Sequence, residues 1–208
     1  DQDWVLCMLV RDERKKLATY FVTRCDVRDR GLNDITSTLI MASEHGYLEI
    51  VQTLLGRGAD VHHSNEDGDT ALHWASENGH IEVMRALLEA GAGADVRRAN
   101  EGGYYTPIYC ACEGEHMEVF RALVEAGGDV DTPDSDGDTA LHVASAQGFA
   151  EGVRYLVERG ADVNKRDSLG RSPLYYALRV ITWYTEKRRQ GMAQVAALLR
   201  EAGAQEPQ

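Results

Sequence analysis

The sequence predicts an all-α solenoid of stacked helix–turn–helix repeats, and three observations carry the prediction. The segment Gly68-Asp69-Thr70-Ala71-Leu72-His73-Trp74-Ala75-Ser76 recurs as Gly137-Asp138-Thr139-Ala140-Leu141-His142-Val143-Ala144-Ser145. An apolar anchor falls at Leu39, Leu72, Ile108, Leu141 and Leu174, in steps of 33, 36, 33 and 33 residues. A second landmark keeps the same register: Gly58-Ala59-Asp60-Val61, Gly93-Ala94-Asp95-Val96, Gly127-Gly128-Asp129-Val130 and Gly160-Ala161-Asp162-Val163. A fixed period of this length marks units that cannot cover their own apolar faces, so that stacked neighbours build one continuous core.

The elements of a period follow from local chemistry. Thr70, Thr106, Thr139 and Ser172 stand where a helix N-cap hydroxyl is needed, and Pro107 and Pro173 sit just inside the start. Gly46, Gly79 and Gly148 mark the break between two helices, where a left-handed residue ends the first. The second helix shows apolar residues at helical spacing, as in Ile50, Val51, Leu54, Leu55 and in Ile81, Val83, Leu87, Leu88. The step of 36 arises from two extra residues in Gly91–Val96 and one in the turn Arg97–Tyr105, both in loops, where insertions are tolerated.

These motifs resemble the ankyrin repeat family, whose pattern is a glycine turn, Thr-Pro-Leu-His, a short helix, Gly-His, a second helix and Gly-Ala-Asp-Val. The resemblance covers about residues 31–204. It implies a single domain over 1–208 with five full repeats: 31–63, 64–98, 99–132, 133–165 and 166–204. Residues 1–30 look like a degenerate N-terminal capping repeat. In the last repeat, the first helix is expected to run on through Leu178, Ile181 and Trp183-Tyr184 to Arg189, and the second from Met192 to near Ala202. Glu115 departs from the pattern, standing where the family has glycine at the bend of the third repeat.

The resemblance also places function and structure on particular residues. His73 and His142 are expected to bond locally and hold neighbouring turns, with His80 and His116 equally structural. His62 and His63 fall off the pattern and are expected to be exposed and inert. Binding in this family uses the concave face, made of turn tips and the outward side of each first helix. Carried over by position, that face comprises Glu66, Asp67, Asp69, Glu77 and Asn78, then Tyr104, Tyr105 and Glu113. It continues with Ser135, Asp136, Asp138, Ala146 and Gln147, and ends on Leu169, Arg171 and Arg179. Trp183 and Tyr184, beside Lys187-Arg188-Arg189, form a second candidate contact. Asn164, which follows Asp162-Val163, is similar to ankyrin sites of asparagine hydroxylation and is a candidate modification site.

Composition narrows the partner. The 208 residues are 43% hydrophobic and 27% charged, a globular balance. The net charge of −12 argues against a nucleic-acid surface and against attraction to anionic membranes. The charge is localised: residues 31–133 carry 5 basic and 18 acidic groups, whereas 1–30 sum to +1 and 134–208 to zero. No apolar run approaches the ~18 residues of a membrane span. Cys7, Cys25, Cys110 and Cys112 suggest four reduced thiols in an intracellular, most simply cytoplasmic, protein. Cys110 and Cys112 lie two apart on a helix and so point to different faces, which argues against a shared metal. No nucleophile–base arrangement, phosphate loop or cofactor motif can be placed. The chain opens on Asp1 without an initiator Met, as a processed protein or a piece of a longer one would. The sequence thus predicts a non-enzymatic protein-interaction module, without cofactor or metal, that takes a basic partner segment. The alternative is a permanently assembled subunit of a larger complex, or the regulatory region of a larger enzyme or channel.

Overall fold

A computed structural model of the chain describes residues 32–103, 105–127, 130–179 and 184–206. The expected capping repeat 1–30, Cys7 and Cys25, and the candidate contacts Tyr104 and Trp183 therefore lie outside the described residues. The chain divides into two compact units, Asp1–Pro107 and Ile108–Gln208.

In the first unit, α1 (Leu32–Glu44) and α2 (Leu48–Gly56) form one helix pair, and α3 (Ala71–Glu77) and α4 (Ile81–Glu89) the next. First helix packs on first helix, and second on second: α1 meets α3 and α2 meets α4. In the second unit the pairs are α5 (Pro107–Glu113) with α6 (Met117–Ala126), α7 (Ala140–Gln147) with α8 (Ala150–Glu158), and α9 (Pro173–Leu178) with α10 (Glu186–Glu201). There α7 packs on α9, and α8 on both α6 and α10.

The anchors Leu39, Leu72, Ile108, Leu141 and Leu174 are all buried, as the period requires. Burying a side chain of this size contributes roughly 1.5–3 kcal/mol, so the repeat register is strongly specified. In the second unit Phe120 fills the space between repeats, meeting Phe149 edge-on at 5.4 Å and Tyr155 at 6.4 Å. Arg121 and Arg159 lie over the Tyr155 ring at 4.9 and 4.8 Å, and Arg159 pairs with Glu125 at 2.9 Å. Cys110 and Cys112 are buried, and neither forms a disulfide among the described residues.

The bends follow the sequence, with one informative exception. Gly46, Gly79 and Gly148 take φ of 70, 71 and 72°. Glu115 takes the same left-handed conformation, φ 54°, although it carries a side chain. The third-repeat bend is therefore kept at a cost in strain, and both Glu115 carboxylate oxygens lie 2.8 Å from Lys187 Nζ.

The last repeat corrects the expectation of a long first helix. α9 ends at Leu178, where Arg179 turns to an extended ψ of 90°. α10 begins earlier than expected, at Glu186, because the Thr185 hydroxyl accepts the Arg188 N–H and caps it. The apolar spacing from Leu178 to Tyr184 resembled one continuing helix, but it spans a helix end and a new cap.

Candidate partner-binding site

Three turn tips are each built on one Asn or Asp. Asn65 Oδ1 accepts the N–H groups of Asp67 (3.0 Å) and Asp69 (2.8 Å). Asp134 does the same for Asp136 and Asp138, both at 2.9 Å, and Asp167 for Leu169 (2.9 Å) and Arg171 (2.8 Å). This side-chain mimicry of a backbone turn is why these residue types recur here. The third-repeat tip is one residue longer, with Asn100 N–H reaching Tyr105 O at 3.0 Å. Its geometry is changed accordingly: the buried Asn100 Oδ1 has no donor among the described residues.

Neighbouring tips are tied within each unit. Glu101 N–H donates to Asp67 O at 2.9 Å, and Ser168 N–H to Asp136 O at 3.1 Å. The approach demands glycine: a Cβ on Gly137, at φ 83°, would lie 2.7 Å from Ser168 N. The histidines add a second tie. His73 Nδ1 accepts the Thr70 N–H at 3.1 Å, and Nε2 donates to the carbonyls of Arg98 (2.9 Å) and Tyr105 (3.0 Å). His142 repeats this with Thr139 N–H (3.1 Å) and Arg171 O (3.2 Å). An acceptor on Nδ1 and a donor on Nε2 require the neutral ring, and burial pushes both histidines below their ordinary value of 6.5. His62 corrects the expectation of an inert loop residue: its Nδ1 lies 2.7 Å from the buried Asp95 carboxylate. At the equivalent position two and three repeats on, Asp131 accepts the Asp162 N–H, and Asn164 bonds Gly203 O and Gln205 N–H. This position ties each such repeat to its successor, a role that single-repeat inspection does not reveal.

The tips differ in what they leave to solvent. Glu66, Asp67 and Asp136 are exposed, and Tyr105 is 44% exposed. Asp69 and Asp138 are half-buried. Burial, with Asp134 and Asp167 nearby, pushes Asp138 up to about 6. Arg171 is not offered outward as expected. Its guanidinium holds the Asp167 carboxylate at 2.6 Å and lies over the Tyr176 ring at 4.9 Å. Asp167, despite its burial, is kept below its ordinary value by the Arg171 N–H, the Tyr176 hydroxyl and the guanidinium.

A groove of about 470 Å³ lies in the second unit, where α5 and α7 end and α8 and α10 begin. It brings together two of the expected residues, Glu113 and Gln147, with Glu115, Glu151, Lys187 and Arg188. Gln147 is 8% exposed, and its Nε2 has no acceptor among the described residues. A buried donor left unsatisfied costs roughly 1–3 kcal/mol, so the groove holds an unused hydrogen bond. Of the cations on its wall, Lys187 is engaged by Glu115, and Arg188 reaches Ala146 O at 3.0 Å and the Tyr184 ring at 4.1 Å, while its buried Nε has no acceptor among the described residues. Glu113 and Glu151, both exposed, have no partner among the described residues. Sequence reasoning missed Glu115 and Glu151 as groove residues; the non-glycine at the third bend was the one available signal. In the first unit, Glu77 and Asn78 are exposed at the end of α3, and Asn78 donates to Trp74 O at 3.0 Å. Among the described residues no group of three His, Cys, Asp or Glu side chains is placed to hold a metal ion, and no helix is long and apolar enough to cross a membrane.

A family model described as ankyrin repeats (3 copies) matches residues 6–100, 92–167 and 129–181. No curated protein sequence matches the chain. With helix pairs, glycine bends, histidine ties and stacked tips in the family's order, the chain belongs to the ankyrin repeat family.

Proposed function

We propose that this chain is a non-enzymatic docking module that takes a basic segment of a partner protein on the tips and first-helix ends of its repeats. Ankyrin repeats are protein–protein interaction modules. The observation that carries the finer reading is the groove of the second unit. There, two unengaged carboxylates, Glu113 and Glu151, flank the unsatisfied Gln147 amide donor. A Lys- or Arg-bearing segment satisfies both features at once, its cation meeting a carboxylate and its backbone carbonyl accepting from Gln147. The exposed Glu66, Asp67 and Glu77 extend the same polarity to the first unit, in the stretch where the acidic excess falls. Such charge selects partners and speeds encounter more than it adds affinity.

The test is fluorescence anisotropy with a labelled Lys/Arg-rich peptide. Glu113→Gln with Glu151→Gln weakens binding at least tenfold at low salt. Gln147→Leu weakens it too, while leaving the fold as stable or more so, because it removes a donor that has no partner among the described residues. Unchanged affinity in both variants refutes the proposal.

A further inference from the structure

We propose that α9 and α10 present a second docking surface, of opposite polarity, for an acidic amphipathic helix of a partner protein. Four large hydrophobic residues are exposed among the described ones, and three belong to the last repeat: Leu169 (74%), Tyr175 (38%) and Leu178 (37%). Tyr175 and Leu178 are three residues apart on α9 and share one face. Leu178 opens onto a groove of about 270 Å³, with Ala177, Met192, Ala193 and Ala196 as its floor.

The charges on the rim choose the occupant. Arg189 and Arg200 line the groove, and eleven residues along α10 separate them by about 16 Å, or three helical turns. Each already holds a carboxylate of this chain, Arg189 that of Glu186 at 2.6 Å and Arg200 that of Glu206 at 2.7 Å. These are exposed pairs, which an incoming carboxylate can displace at little cost. The exposed Arg179 side chain, beyond Leu178, has no partner among the described residues. Among the described residues, no acidic side chain lines the groove.

The floor chooses the conformation. Its Ala, Leu and Met side chains offer no hydrogen bond to an extended backbone, so a segment that satisfies its own N–H and C=O groups fits best. That segment is a helix with apolar residues at i, i+3, i+4 and i+7 facing the floor, and Glu or Asp on its flanks. This surface does not depend on the acidic groove of the proposed function, and the two fail independently.

The test is anisotropy with a labelled amphipathic helical peptide carrying leucines on one face and glutamates on its flanks. Two control peptides replace the glutamates by lysine or the leucines by serine. The full chain is expected to bind the acidic peptide saturably, and both controls at least tenfold more weakly. Arg189→Glu with Arg200→Glu, and separately Ala193→Glu at an exposed position, each reduce binding tenfold or more. The Lys/Arg-rich peptide of the groove assay is unaffected by these variants. Equal affinity for the acidic and lysine peptides overturns the proposal, as does unchanged binding by Ala193→Glu. Self-association of the chain that Ala193→Glu abolishes, without peptide binding, also overturns it and makes a second copy the occupant.

Discussion

Exchanging the bend residues of two adjacent repeats separates backbone strain from packing. Glu115 and Gly148 hold equivalent positions and similar left-handed conformations, φ 54° and 72°. For Glu115→Gly, the relief of a side chain in this region is about 1–2 kcal/mol. Against it stand about 0.5–1 kcal/mol for the freedom of glycine in the unfolded chain, and a few tenths, roughly, for the exposed Lys187 pair. The net is a gain of about 0.5 kcal/mol. For Gly148→Ala the sign reverses, because the added Cβ lies 2.9 Å from Met192 N and 3.0 Å from Arg188 O, backbone atoms of α10. Strain plus this clash costs about 2 kcal/mol or more. Urea denaturation followed by circular dichroism measures both, and Lys187→Ala in the native and the Glu115→Gly backgrounds completes the double-mutant cycle that isolates the ion pair. The reasoning fails if Glu115→Gly destabilises by 1 kcal/mol or more, or if Gly148→Ala is neutral. Glu115→Gly is also expected to weaken binding of the basic peptide, since it removes a carboxylate from the groove while the fold gains.

Four further outcomes follow from the same geometry. His142→Ala leaves the Thr139 N–H and the Arg171 carbonyl without their partner and lowers stability by about 2–3 kcal/mol, read by urea denaturation. In pH titrations of stability, the unfolded chain protonates His73 and His142 first, because both are lowered in the folded chain; stability therefore falls as pH drops below 6.5. Asp138 opposes this: raised to about 6 when folded, it takes up its proton earlier in the folded chain and adds stability as pH falls from there toward 3.8. Asp138→Asn is therefore more stable than the native chain at pH 7 and loses stability more steeply between pH 6.5 and 4, a profile that thermal melts across pH resolve. Finally, Tyr105→Ala is expected to leave helical content unchanged by circular dichroism while weakening partner binding, because the ring is 44% exposed.

The repeat architecture was legible because each landmark reports a backbone need. The anchors needed burial, the bends a left-handed residue, and the tips a short acceptor side chain. Where the sequence misled, a local pattern stood for two different structures. Leu178 to Tyr184 carried helical spacing across a helix end. His62 resembled a solvated loop residue, although its partner Asp95 lies 33 residues away. Arg171 occupied a tip position yet turns inward to Asp167 and Tyr176. Among the expected contact residues, Glu113 and Gln147 converge on one groove, which no spacing rule announces because it needs the third and fourth repeats stacked and α10 laid beside them. Tip residues such as Glu66, Asp67 and Asp136 are exposed as their turn chemistry requires.

The claim that the groove receives a basic segment is tested most directly by hydrogen–deuterium exchange of the full chain with and without the Lys/Arg-rich peptide. Added protection is expected at the end of α5, at residues 113–115, and at the α7–α8 junction, residues 147–151. Its loss is expected in the Gln147→Leu variant. Protection absent from both segments, or retained in that variant, contradicts the account.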